Sequence, residues 1–146
     1  MRAVDFRSFK KPAEVKKFIE TMMNEKLRGT GITSSAAIFL IELEPGMVLT
    51  NSELAEKVGV TMALSTRVTR QLQDMGLVEN EPRGRSCGIH LTPEGERVRT
   101  VVKECAESCL EYLFSDFTDE EISQMESFYE RMDVRIDSYW KGRGSD

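Results

Sequence analysis

The sequence predicts a mainly α-helical fold carrying one small β-hairpin. Three observations point there. Apolar residues recur three and four apart along most of the chain, the pattern turns extended only over residues 77–91, and Ser, Thr, Gly and Pro fall where helix ends need them. With 146 residues, 40% of them hydrophobic and 31% charged, the chain suits one domain with helical arms better than two separate cores.

Pro12 and Ala13 open the first helix, whose apolar stripe is Val15, Phe18, Ile19, Met22, Met23 and Leu27; Gly29-Thr30-Gly31 stops it. Thr33 or Ser34 caps a second, shorter helix through Leu43, ended by Glu44-Pro45-Gly46. Thr50 followed by Glu53 is a capping box, in which each side chain satisfies a free amide of the first turn. That third helix is short because Gly59 follows. Thr61 caps a fourth running to Met75, with Leu64, Val68, Leu72 and Met75 on one face, and Gly76 ends it.

Two strands, 77–81 and 87–91, flank Pro82-Arg83-Gly84-Arg85, which reads as a turn with a basic tip. Thr92-Pro93-Glu94-Gly95-Glu96 restarts a helix whose stripe is Val98, Val101, Val102, Cys105, Cys109, Tyr112 and Leu113. Thr118-Asp119-Glu120-Glu121 is a second capping box. The last helix carries Ile122, Met125, Tyr129, Met132, Ile136 and Tyr139, spaced as a coiled-coil seam is. Residues 1–10 and 141–146 are expected to be loose.

Several function classes drop out. The longest apolar run, Ala36–Ile41, is six residues, far short of a membrane span. The amino terminus lacks the apolar segment of a secretory signal, so a cytoplasmic location is expected. Three cysteines without a CxxC pair and a single histidine, His90, argue against a disulfide framework, a metal site and His-based catalysis. No Ser–His–Asp arrangement, P-loop or dinucleotide-binding glycine pattern is present, so neither an enzyme nor a cofactor is expected.

The net charge of −5 is unevenly spread: +4 over residues 1–31, −2 over 32–49, zero over 50–92 and −7 over 93–146. The carboxy-terminal third is repelled by a polyanion, whereas the middle is free to approach one.

In that middle, two short helices joined by a tight Gly-containing turn make a helix-turn-helix candidate over 50–75, and the basic-tipped hairpin makes it winged. The second helix can enter a DNA major groove while the hairpin lies against the neighbouring minor groove or backbone. Its outward residues read as Thr61, Met62, Ala63, Ser65, Thr66, Arg67, Thr69 and Arg70, with Arg67 the candidate for a guanine edge. Arg83 and Arg85 supply the wing's charge. Thr50, Ser52 and Thr61 sit at helix starts, where free amides can hold phosphates. The long stripes of the first, fifth and last helices exceed what a small winged core can bury, which predicts a homodimer. Val15, Phe18, Ile19, Met22, Ile122, Met125, Tyr129, Met132 and Ile136 are its expected interface.

The segments 49–60, Leu72-Gln73-Asp74-Met75-Gly76-Leu77-Val78-Glu79 and Leu91-Thr92-Pro93-Glu94-Gly95 resemble the MarR family of transcriptional regulators. The resemblance covers about residues 11–140. It implies a single domain, with dimerisation helices at about 11–31 and 93–140 and a winged helix-turn-helix at about 32–92. It also implies a homodimer that binds a pseudopalindromic operator of double-stranded DNA and is often relieved by a small anionic or phenolic effector; the leading reading is a repressor that occupies that operator. The family's wing usually carries an Asp-Arg pair; here the segment reads Glu81-Pro82-Arg83-Gly84-Arg85-Ser86, without the Asp. The arginine role therefore carries over to Arg85, with Arg83 second. Phe18, Met22, Ile38, Phe39, Val101 and Cys105 are candidates to line an effector pocket, with Arg28 or Lys26 to attract an anion.

Two other readings stand beside this one. Winged helices also serve as protein-docking modules that never touch DNA. Cys87, on the wing near Arg85, is a candidate oxidant-sensing thiol, whereas Cys105 and Cys109 read as small core residues.

Overall fold

The computed structural model describes residues 2–143. Its helices are α1 (Lys11–Lys26), α2 (Ser34–Glu42), α3 (Asn51–Val58), α4 (Met62–Asp74), α5 (Pro93–Leu113) and α6 (Asp119–Gly142), with a short 3-10 turn at Phe6–Lys10 before α1. The strands are β1 (Leu49–Thr50), β2 (Val78–Arg83) and β3 (Ser86–Leu91). The fold class is the expected one, mainly α with a winged helix-turn-helix. Among the described residues, no helix is long and apolar enough to cross a membrane.

The helix starts lie where their caps put them. The hydroxyls of Thr33, Thr50, Thr61 and Thr118 accept from the amides of Ala36, Glu53, Leu64 and Glu121. At Thr50 and Thr118 the third helical residue, Glu53 or Glu121, returns the bond to the cap's own amide. Each such cap is worth about 1 kcal/mol.

The sheet is larger than the sequence suggested. Three antiparallel strands lie in the order β1-β3-β2, with β1 adding two residues, Leu49 opposite Ile89 and Thr50 opposite Gly88. The turn is also tighter than expected. Arg83 pairs with Ser86, so only Gly84 and Arg85 form the loop, and Gly84 takes φ +59 as a two-residue hairpin requires. Pro82 therefore lies in β2, opposite Cys87, not in the turn. Counting from the closing pair, that position is non-hydrogen-bonded, and β2 is an edge strand, so a residue without an N–H breaks no rung of the ladder.

The chain divides into two compact units, one up to Leu110 and one from Glu111 onward. In the first, Met23, Leu27, Phe39, Leu40, Leu43, Leu54, Val68, Leu72, Leu77, Ile89 and Val102 form a continuous buried core, drawn from every layer of the winged module and from α1 and α5. Two close contacts join α5 to that module. The Thr92 hydroxyl donates to the Gly76 carbonyl at 2.6 Å and accepts from the Gly95 amide at 3.0 Å, while the Thr92 amide donates to the Leu77 carbonyl at 3.0 Å. Gly95 is buried there with no room for a Cβ, which would lie 1.9 Å from the Leu77 oxygen. One turn further on, Arg99 donates through Nε and Nη2 to the Leu40 and Ile41 carbonyls and so caps the open end of α2. In the second unit, α6 exposes Phe128, Tyr129, Met132, Val134, Ile136, Tyr139 and Trp140 to solvent.

Candidate nucleic-acid interface

The helix-turn-helix is pinned by one side chain that the sequence reading overlooked. Asn51, the first residue of α3, reaches α4: its Oδ1 accepts from the Ser65 hydroxyl at 2.6 Å and its Nδ2 donates to Thr66 Oγ1 at 2.9 Å. Ser65 is wholly buried under it, and Thr69, one turn on, is 6% exposed. Both were expected to face outward, and both are corrected here. Small residues occupy the flank where α3 comes closest, because a larger side chain would hold the two helices apart. Only the fold reveals which flank that is.

The remaining expected contacts are exposed. Ser52 lies in the first turn of α3, Thr61 caps α4, and Met62, Ala63, Thr66, Arg67 and Arg70 stand on the open face of α4. Neither Arg67 nor Arg70 forms a salt bridge among the described residues. Two guanidiniums on a helix that carries no acid before Asp74 make this a positive face, in a chain whose net charge is negative.

The wing separates its two arginines. Arg83 Nη1 donates to Glu53 Oε1 at 2.6 Å and to the Val48 carbonyl at 2.8 Å. It is thereby a strut from β2 to the start of α3, and a correction to its expected role as a second groove contact. Glu53 holds that strut while also closing its capping box. Hydrogen bonds from the Thr50 amide and hydroxyl, then the charge of Arg83, keep its carboxyl below the usual glutamate range. Arg85, at the loop tip, is exposed and forms no ion pair among the described residues. A brace for the wing therefore exists despite the missing Asp, supplied by Glu53 from α3. On the same hairpin, His90 Nδ1 lies 2.9 Å from Glu81 Oε1 and Nε2 3.5 Å from Glu79 Oε2.

Between α4 and the wing runs a cleft of about 200 Å³ lined by Asn51, Thr69, Arg70, Gln73, Asn80 and Cys87 among others. Cys87 is exposed, as expected, and Cys109 is buried, which pushes its thiol up. A second, more apolar cavity of about 320 Å³ is lined by Leu27, Ile32, Met75, Leu77, Val98 and Val101, with Glu94 and Arg97 also on its wall. Of the expected effector-pocket residues only Val101 lines it; Phe39 is sealed in the core, and Phe18, Met22, Ile38 and Cys105 lie elsewhere. Neither Lys26 nor Arg28 is on its wall. The apolar stripes located the core, and the cavity lies where the first turns of α5 diverge from the α4–β2 turn.

The expected dimerisation residues fall into two groups. On α1, Val15 is exposed, Phe18 is half-buried, and Ile19 and Met22 pack partly against the core of their own unit. On α6, Ile122 and Met125 are half-buried while Tyr129, Met132 and Ile136 are open to solvent.

No family model and no curated protein matches the sequence. Solved structures do match the fold. A MarR protein from Peptoclostridium difficile superposes with a TM-score of 0.85 at 18% identity, over 97% of this chain and 95% of that one. The transcriptional regulator SlyA gives 0.82 at 15%, over 91% and 96%. A MarR transcriptional regulator from Methanosarcina mazei gives 0.81 at 22%, over 90% and 91%. The likeness spans the flanking helices as well as the winged module, so the chain has the whole fold of the MarR transcriptional regulators.

Proposed function

We propose that the chain is a sequence-specific, double-stranded-DNA-binding transcriptional regulator, a repressor by occupancy of its operator, acting as a homodimer and not as an enzyme. The supporting observation is the open face of α4. Among the described residues Arg67 and Arg70 form no salt bridge, and they stand on a helix whose adjoining flank is locked to α3 through Asn51, so a rigid positive ridge projects from the module. Such a ridge fits a major groove, and Arg85 at the wing tip reaches the flanking minor groove or phosphate.

The open apolar face of α6, with Met132 and Ile136 flanked by Arg131 and Arg135, is a surface a second copy would cover. A two-fold dimer would present two α4 helices to successive major grooves, about 34–36 Å apart. A cytoplasmic location fits that role. The apolar cavity beside Met75 and Val101 would take a small apolar or phenolic effector, with Arg97 near any anionic group.

The test is selection of bound duplexes from a random library, followed by mobility shifts at several salt concentrations. A regulator enriches a palindromic sequence with half-sites one helical turn apart and shows a steep negative salt slope. Arg67→Ala should relax preference at one base position at a cost of about 1–3 kcal/mol. Failure to enrich any sequence would leave the protein-docking reading in its place.

A further inference from the structure

The hydroxyl-rich α4 suggested by the sequence is largely spent within the fold. Thr61 Oγ1 accepts from the Leu64 amide. Ser65 is buried against Asn51, and Thr69, beyond Arg67, is buried on the wall of the cleft beside the wing, its hydroxyl without a hydrogen-bond partner among the described residues. Thr66 is exposed, but its hydroxyl proton goes to the Met62 carbonyl at 2.9 Å, and its oxygen accepts from Asn51 Nδ2 at 2.9 Å. It has no proton left for a base. Asn51, the amide at this corner, is itself occupied on both sides. The outward groups at the start of α4 are therefore the Met62 thioether, 51% exposed, the Ala63 methyl and the carbon atoms of Thr66, with Arg67 and Arg70 behind them.

In a major groove the acceptors on guanine, adenine and thymine call for donors; the Thr61 hydroxyl keeps its proton at the cap, but no side chain from Met62 to Thr66 has one to offer. The one base-edge group that an apolar side chain reads favourably is the thymine C5-methyl. We infer that Met62, with Ala63 and Thr66 beside it, is a specificity-determining residue that selects thymine by its methyl group, next to a guanine read by Arg67. This deepens the DNA-binding reading and rests on it. Asn51 is the positioning residue, because it ties up the Thr66 hydroxyl and rests its Nδ2 3.9 Å from the Met62 sulfur.

The experiment takes the duplex that the protein selects from a random library and replaces its thymines, one position at a time, by deoxyuridine, which removes only the methyl. The expected result is a three- to fivefold loss of affinity, roughly, at one or two positions per half-site next to the conserved guanine. Met62→Ala should abolish the loss at one of those positions and Met62→Leu should keep it, with melting curves confirming that both variants fold. Selection of a sequence whose thymine and deoxyuridine forms bind equally overturns this inference and leaves DNA binding standing. Loss at thymines that Met62→Ala leaves unchanged overturns the assignment to Met62. Absence of any selected sequence overturns the DNA-binding reading itself.

Discussion

Gly95→Ala would strain the joint between α5 and the winged module. An added Cβ would lie 1.9 Å from the Leu77 oxygen and 2.9 Å from its carbonyl carbon, whereas ordinary contact begins at 3.4 Å. Both atoms are backbone, so no side chain can swing aside; either the first turn of α5 or the turn at Gly76 must retreat by roughly 1.5 Å. Overpacking of this kind costs about 1–3 kcal/mol. The retreat also stretches the bonds of Thr92 to Gly76 and Leu77, each worth about 1 kcal/mol net. Alanine's better helix propensity returns about 1 kcal/mol. The expected loss is about 3 kcal/mol, or a melting point lower by about 10 °C for a chain of this size, read by thermal or urea unfolding at fixed protein concentration. Gly142→Ala, with nothing within 4 Å, is the control and should be neutral or stabilising. Gly88→Ala meets Val48 Cγ1 at 2.4 Å, a side chain that can turn, and should fall between the two. A Gly95→Ala melting point within about 1 °C of the parent would show that the close approach does not constrain the fold.

Four further outcomes follow from the site and its surroundings. Asn51→Ala leaves the buried Ser65 hydroxyl without its 2.6 Å partner and should cost about 1–3 kcal/mol in urea unfolding, with weaker DNA binding because α4 loses its clamp. Arg85→Ala should lower the slope of log affinity against log salt by about one unit per subunit, whereas Arg83→Ala should lower it less, since Glu53 already neutralises that guanidinium. Because Glu53's carboxyl is held below its ordinary value, the anchor is complete above the usual glutamate range and is lost as the pH falls through its depressed value. Amide exchange across β2 and β3 should rise there, and Glu53→Gln should remove that pH dependence. A thiol reagent should label Cys87 quickly in the native protein and Cys109 only on unfolding, because Cys109 is sealed and its thiolate disfavoured by burial.

What was legible in the sequence was local. The helix starts at residues 33, 50, 61 and 118 were readable because a capping threonine acts on an amide three residues away, inside the same window of chain. β1 was not, since two residues become a strand only through pairing with Ile89 and Gly88, some forty residues on. Pro82 looked like a turn residue because its ring suits one; its place in β2 depends on which rung it meets and on β2 being the edge. Ser65 and Thr69 failed for a related reason. The helical pattern gives the centre of the buried stripe, Leu64, Val68 and Leu72, but not its width, and here α3 widens it on one side. The outward arginines were safe because a buried, unpaired guanidinium is too costly to occur.

The joint at Gly95 also bears on how an effector would act under the proposed function. Leu77 is at once the carbonyl that Thr92 grips, a core side chain and part of the wall of the 320 Å³ cavity. Met75, at the end of α4, and Val101, on α5, share that wall. Since Thr92 and Arg99 fasten the first turns of α5 to the α4–β2 turn and to α2, those turns of α5 and the module respond together to any push on the cavity. A ligand shifts an equilibrium only by its different affinities for two states. A molecule that fits the cavity as it stands therefore favours the present arrangement of its walls over any other and raises the melting point. DNA affinity measured with the same molecule then reads which arrangement binds DNA: it rises with the melting point if the present one does, and falls as the melting point rises if α4 must leave it.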